Sequence, residues 1–151
     1  MPGLRIEVDE KPSPELRESI LQPLLRFNET FAGPTAVEPL ALALRSEGDD
    51  AVVGGLWADI VYQWMFIHYV FVPEEFRGRG IGSQLIATAE QIAKRRGCVG
   101  IRLNTYSFQA PAFYPRLGYE LLGKLSNHPP GHEAYLYFKH LTTSEGVLAV
   151  S

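Results

Sequence analysis

The chain has 151 residues, 46% apolar and 21% charged, and carries a formal net charge of −3. That length suits one domain whose core needs no disulfides, and the single cysteine, Cys98, excludes a disulfide framework and fits a reducing compartment. A net negative chain is a poor general ligand for nucleic acid, and no apolar run approaches the roughly 20 residues that a bilayer span needs. The start of the chain, with Arg5, Glu7, Asp9 and Glu10, lacks the apolar stretch of a signal peptide. The expectation is a cytoplasmic protein with no nucleic-acid or membrane partner, with one domain over residues 1–141 and a loose tail over 142–151.

Residues 4–8 alternate apolar and polar side chains and predict a first strand. Ser13 or Ser19 is placed to cap a first helix, with Pro14 and Glu15 at its start. Leu16, Ile20, Leu21, Leu24, Leu25 and Phe27 give that helix its apolar spacing, while Pro23 should break or kink it, and residues 28–36 read as a loop. Residues 40–44 and 51–60 predict the second and third strands around a turn at 47–50. Residues 64–72 predict a fourth, almost wholly apolar, as a strand covered on both faces would be. Residues 83–96 form the clearest helix: Leu85, Ile86, Ala89, Ile92 and Ala93 make one stripe, Lys94, Arg95 and Arg96 suit its C-terminal end, and Gly97 stops it. A fifth strand over 99–104, a short helix over 109–117, a sixth strand over 119–125 and a seventh over 134–140 complete the reading. Strands on both sides of a β-α-β core give an α/β (α+β) architecture, a mixed sheet with helices on both faces.

The segment Val70-Phe71-Val72-Pro-Glu-Glu-Phe-Arg77-Gly78-Arg79-Gly80-Ile81-Gly82-Ser83 joins the fourth strand to the long helix. A strand, a glycine-rich turn and a helix N-terminus together aim unpaired amides and the positive end of the helix dipole at one spot. Arg77 and Arg79 add positive charge there, so a pyrophosphate is the expected guest; the alternative for these arginines is a pair of solvated turn charges. The turn contains neither the G-x-x-x-x-G-K-[ST] of a triphosphate loop nor a G-x-G-x-x-G followed by a suitably spaced acid. What it contains is Arg77-x-x-Gly80-x-Gly82, which resembles the acyl-CoA motif of the GCN5-related N-acetyltransferase (GNAT) family. A second block, Ile101 to Asn104 and then Phe108-Gln-Ala-Pro-Ala-Phe113-Tyr114-Pro-Arg-Leu-Gly118-Tyr, is similar to that family's later strand and A-x-x-F-Y-x-x-L-G-Y signature. The likeness runs from about residue 40 to 141 in order, spacing and residue type.

The resemblance implies a mostly antiparallel sheet of about seven strands, splayed between the fourth and fifth, with acetyl-CoA as cosubstrate and no metal. It implies that Val70, Phe71 and Val72 pair with the pantetheine arm, that residues 77–83 hold the pyrophosphate, and that a backbone amide near 70–72 polarises the thioester carbonyl. Tyr114 falls at the family's tyrosine, beside the departing sulfur, and Asn104 at its polar strand-end residue. For Tyr114 the alternative is simple packing, a job that Phe113 does better. For Asn104 it is the capping of its own turn.

The general base is where the chain departs from the family, which often carries a glutamate on the fourth strand. His68 stands there, and strict alternation would put it on one face with Trp64, Phe66 and Val70. An imidazole suits deprotonation of an amine at neutral pH, although a lone histidine in an apolar strand is commonly a core residue. His132, in the Pro129-Pro-Gly-His turn, competes for the role, because that turn is similar to loops of small-molecule acetyltransferases that use a histidine base. The function expected is acetyl transfer to a primary amine of a small molecule in a ternary complex, by a chain compatible with the homodimers common in the family. The departure at His68 leaves a catalytically inactive acyl-CoA sensor as an alternative, and a protein or peptide N-acetyltransferase as another.

Overall fold

A computed structural model describes residues 3–141, so the tail expected over 142–151 lies outside the described residues. The chain divides into two compact units, Met1–Thr35 and Ala36–Ser151.

The first unit is dominated by α1, Pro14–Ala32. Ser13, and not Ser19, is its cap: the Ser13 hydroxyl oxygen accepts from the Leu16 amide at 3.1 Å, Pro14 sits where its missing N–H costs nothing, and Gly33 closes the far end by donating its N–H to Glu29 O. The helix passes through Pro23 and continues to Ala32, five residues into the expected loop. Residues 4–8 form no strand. Alternation over five residues is a weak signal when no partner strand supplies a ladder.

The second unit holds one sheet of β1 (Glu38–Arg45), β2 (Val52–Val61), β3 (Trp64–Phe71), β4 (Gly100–Tyr106), β5 (Glu120–Ser126) and β6 (Glu133–His140). The order is β1-β2-β3-β4-β6-β5: six strands among the described residues, not seven, because the segment at 4–8 contributes none. Only β3 and β4 run parallel, joined through the helix α2 (Ile81–Arg95). Leu85, Ile86, Ala89 and Ala93 of α2 pack on Met65 and Ile67 of β3 and Ile101 and Leu103 of β4 in the main core cluster. The short helix is one turn, α3 (Phe113–Arg116), since Ala110 takes a positive φ of 59° and residues before it turn instead of coiling. Tyr114 of α3 joins the same core as α2.

Two features of β3 position everything that follows. Pairing with β4 stops at Ile67–Leu103, so the strands diverge beyond it. At the same point the register with β2 slips: Ala58 faces Ile67 but Trp57 faces Tyr69, leaving His68 as the extra residue of a β-bulge. A bulge bends and twists its strand, which accounts for β3 leaving β4 here. The bulge also breaks the expected alternation. Met65 and Ile67 are buried and Val70 packs on the same core, so Val70 lies opposite the face predicted for it, while Tyr69 is 71% exposed. The apolar composition of this strand therefore reflects one packed face and one open aromatic face, not cover on both.

Candidate active site

The splay opens at one end of the sheet. The C-terminal ends of β3 and β4 lie there, and because β6 runs antiparallel to β4, the β5–β6 turn lies there too. The last residues of β3 are held by a close approach to β2. A Cβ on Gly54 would collide with the carbonyl oxygen of Phe71, so only glycine lets β3 cross at this position.

After β3 the chain makes a single 3₁₀ turn, Glu74–Phe76, and then the glycine-rich loop. Arg77 donates from Nε to Val72 O at 2.8 Å, with its guanidinium carbon 5.7 Å from the Phe71 ring centroid. It ties the loop back to the strand. Arg79 lies 5.6 Å from the Phe76 ring centroid and forms no ion pair among the described residues. Gly78 and Gly80 have φ of +78° and +79°, and nothing lies within 4 Å of where a Cβ would stand at either. The Arg77 amide bonds to Glu74 O and the Gln84 amide to Gly80 O. Between them, the amides of residues 78–83 make no hydrogen bond among the described residues. No acidic residue stands in the first turn of α2 to oppose an anion. Six consecutive unpaired amides, an open cradle and two arginines fit a pyrophosphate. Gly82 is pressed against Phe113, its Cβ position 3.3 Å from the Phe113 ring, which sets α3 beside the start of α2. A Gly80→Ala variant, forced to hold φ near +79°, is expected to weaken acetyl-CoA binding about tenfold by isothermal titration, for a strain of about 1–2 kcal/mol.

Tyr114 sits under the sheet on the α2 side, 7% exposed, among the rings of Phe113, Tyr119 and Tyr137 at centroid distances of 5.1, 5.9 and 6.0 Å. Burial pushes its hydroxyl up to about 12, so it remains a proton donor across the physiological range. The hydroxyl has no hydrogen-bond partner among the described residues, yet it is not a buried orphan, so its oxygen reaches accessible space.

On the opposite face stands His68, whose Nε2 lies 2.8 Å from Asp59 Oδ2, with both side chains about 30% exposed (30% and 28%). The imidazole packs 4.4 Å from the Phe66 ring, which carries the Arg102 guanidinium 4.1 Å over its centroid. Asn104 is the first β4 residue beyond the last pair, on the same face as Arg102 by alternation and exposed. Sequence reading missed Asp59. The available signal was one carboxylate inside the otherwise apolar run of residues 51–61.

His132 lies in the β5–β6 turn with its ring 4.9 Å from Phe108, and His128 lies 5.4 Å from Tyr106. These are exposed aromatic contacts, and neither histidine has a carboxylate partner among the described residues. His68 and His132 make no contact with each other among the described residues, and β4 lies between β3 and the β6 strand that His132 precedes. Cys98 is buried, and burial, followed by Glu38, pushes its thiol up, which suits packing and not nucleophilic attack. Arg45 is occupied by Asp50.

A splayed parallel pair, an amide-lined loop entering a helix, and a buried tyrosine in the core that this helix packs on define a class of acyltransferase. Residues 5–119 match the acetyltransferase (GNAT) family, which uses acetyl-CoA, and the chain belongs to that family and is an N-acetyltransferase. It is 41% identical over 91 residues to the blasticidin-S acetyltransferase of Streptomyces morookaense, covering 60% of this chain and 67% of that one. It is 34% identical over 111 residues to the acetyltransferase Atu2258 of Agrobacterium fabrum, covering 74% and 80%. A solved acetyltransferase from Bacillus cereus superposes with a TM-score of 0.79 at 30% identity, covering 89% of this chain and 98% of that one.

Proposed function

We propose that the protein transfers the acetyl group of acetyl-CoA directly to a primary amine of a small molecule, in a ternary complex in the cytoplasm. The observation that carries this reading is the run of unpaired amides at 78–83, opening beside the gap between β3 and β4. Acetyl-CoA supplies the activated acyl group. The amides of residues 78–83, with Arg79, hold its pyrophosphate, and Arg77 holds the loop in shape. Val70, Phe71 and Val72, unpaired with β4, offer alternate backbone groups to the pantetheine arm. An amide of this stretch polarises the thioester carbonyl, where a fixed donor in a dry site is most effective. Asn104 lines the other wall of the gap.

The acceptor reaches the face that carries His68. His68 takes the ammonium proton, and Tyr114 donates a hydrogen bond to the departing sulfur from the other face. His68 is preferred over His132 because a carboxylate orients its ring, whereas His132 has only Phe108 beside it. Trp57, 45% exposed, and Tyr69 give this face an aromatic wall suited to a small planar or apolar acceptor. Blasticidin S is the first acceptor to test, since a relative 41% identical is a blasticidin-S acetyltransferase.

The test is thiol release from acetyl-CoA with blasticidin S, aminoglycosides, amino acids and lysine peptides, for wild type, His68→Gln and His132→Gln. Turnover of a small amine that falls about 10²-fold or more in His68→Gln, and little in His132→Gln, is the expected result. Turnover confined to peptides overturns the acceptor class. Acetyl-CoA binding without release from any amine moves the protein to the sensor class.

A further inference from the structure

We infer that Asp59 is a positioning residue that fixes His68 with Nε2 protonated and leaves Nδ1 as the atom that accepts the ammonium proton. This rests on the reading of His68 as the base. An ionised carboxylate has only acceptor sites, so a contact of 2.8 Å between Asp59 Oδ2 and His68 Nε2 requires the hydrogen on Nε2. The lone pair is then on Nδ1, the nitrogen nearer the backbone. Alternation from Phe66 keeps His68 on the open face, and the bulge, with His68 as its extra residue, brings Tyr69 to the same face. Asp59 is opposite Phe66 in the β2–β3 register, so the carboxylate reaches the imidazole along the face, beside the Phe66 ring.

The step balances simply. One N–H bond of the ammonium breaks, its proton goes to Nδ1, and the freed amine lone pair attacks the thioester carbon. The imidazolium so formed lies beside Asp59, with Nε2 still donating to its Oδ2. The charged and titratable groups facing His68 are Asp59 from β2, Tyr69 on its own strand at a ring distance of 6.0 Å, and Arg102 from β4, held one ring away over Phe66. Phe66 keeps the guanidinium off the imidazole, so the carboxylate is the nearest charge.

Two measurements decide the inference. The first is a double-mutant cycle of Asp59→Asn and His68→Gln, read as kcat and as KM for acetyl-CoA, with blasticidin S or the fastest amine of the panel. Asp59→Asn alone should lower kcat at least about tenfold with KM for acetyl-CoA unchanged, and should change kcat less than about twofold when His68 is already Gln. Equal losses in both backgrounds, or none in the wild-type background, overturn the positioning role. If His68→Gln itself costs nothing, the base reading fails instead. The second needs no acceptor and no folded variant: nitrogen-15 NMR of the wild-type imidazole above its titration. A hydrogen on Nε2, slow to exchange, with a bare Nδ1 is expected; a hydrogen on Nδ1 overturns the inference.

Discussion

Replacing Tyr114 with phenylalanine is expected to lower kcat about 10²- to 10³-fold, the typical cost of removing one fixed donor at a site of developing charge. Acetyl-CoA affinity should be nearly unchanged, because the ring keeps its packing and only the hydroxyl is lost. The hydroxyl's elevated proton affinity says how it works. At about 12 it lies well above an ordinary thiol near 8.5, so in the proposed mechanism it donates a hydrogen bond to sulfur and does not surrender its proton outright. Tyrosine ionisation should therefore leave kcat untouched up to about pH 11, and an alkaline fall starting lower belongs to another group. Stopped-flow turnover across pH 6–11 (approximate limits) checks both points. A loss in Tyr114→Phe confined to KM for acetyl-CoA would assign the residue to binding alone.

The same burial has a consequence for stability. The folded value is raised above the unfolded value near 10, so the folded state holds its proton more tightly. The associated stability is fully present below about pH 10 and is lost as pH rises toward 12, by up to about 1.4 kcal/mol per pH unit for this group. Tyr119 shifts in the same direction, through burial first and Glu90 second.

The second large effect concerns Glu90 on α2. Its carboxylate accepts from Tyr119 Oη at 2.8 Å and from Lys139 Nζ at 3.2 Å to each oxygen, while Lys139 also donates to Leu117 O at 2.9 Å. The Glu90 and Lys139 side chains are only 14% and 28% exposed. This network ties α2, the end of α3 and β6 together behind the gap. Glu90→Ala leaves a largely buried ammonium without its counter-charge and a buried phenol without its acceptor, at a cost of about 3 kcal/mol. For a chain of this size that lowers Tm by roughly 6–12 °C, measurable by calorimetry. A triple variant, Glu90→Ala with Tyr119→Phe and Lys139→Met, should recover part of the loss, since it removes the stranded ammonium and phenol and leaves only the Leu117 carbonyl without its donor. If Glu90→Ala melts with the wild type, the network contributes nothing to the fold.

The glycine-rich loop and the helix after it were legible from residue order, because their geometry is local: φ near +79° demands glycine, and a 3.6-residue stripe demands a helix. The same holds for Tyr114, fixed by its place in the A-x-x-F-Y block. Residues 4–8 show the limit of local pattern, since alternation makes a strand only where a partner supplies hydrogen bonds. Pro23 shows another: a proline ring costs one backbone bond, and the nineteen residues of α1 tolerate it.

What the sequence determined by itself is the glycine-rich loop, the order of the elements from β1 onward and the acetyltransferase class. What only the tertiary structure decided is which side chain stands beside His68. Asp59 and His68 are nine residues apart on neighbouring strands, and they meet through the cross-strand register that sets Asp59 opposite Phe66. Register is set by pairing between strands, so no periodicity within either strand records it.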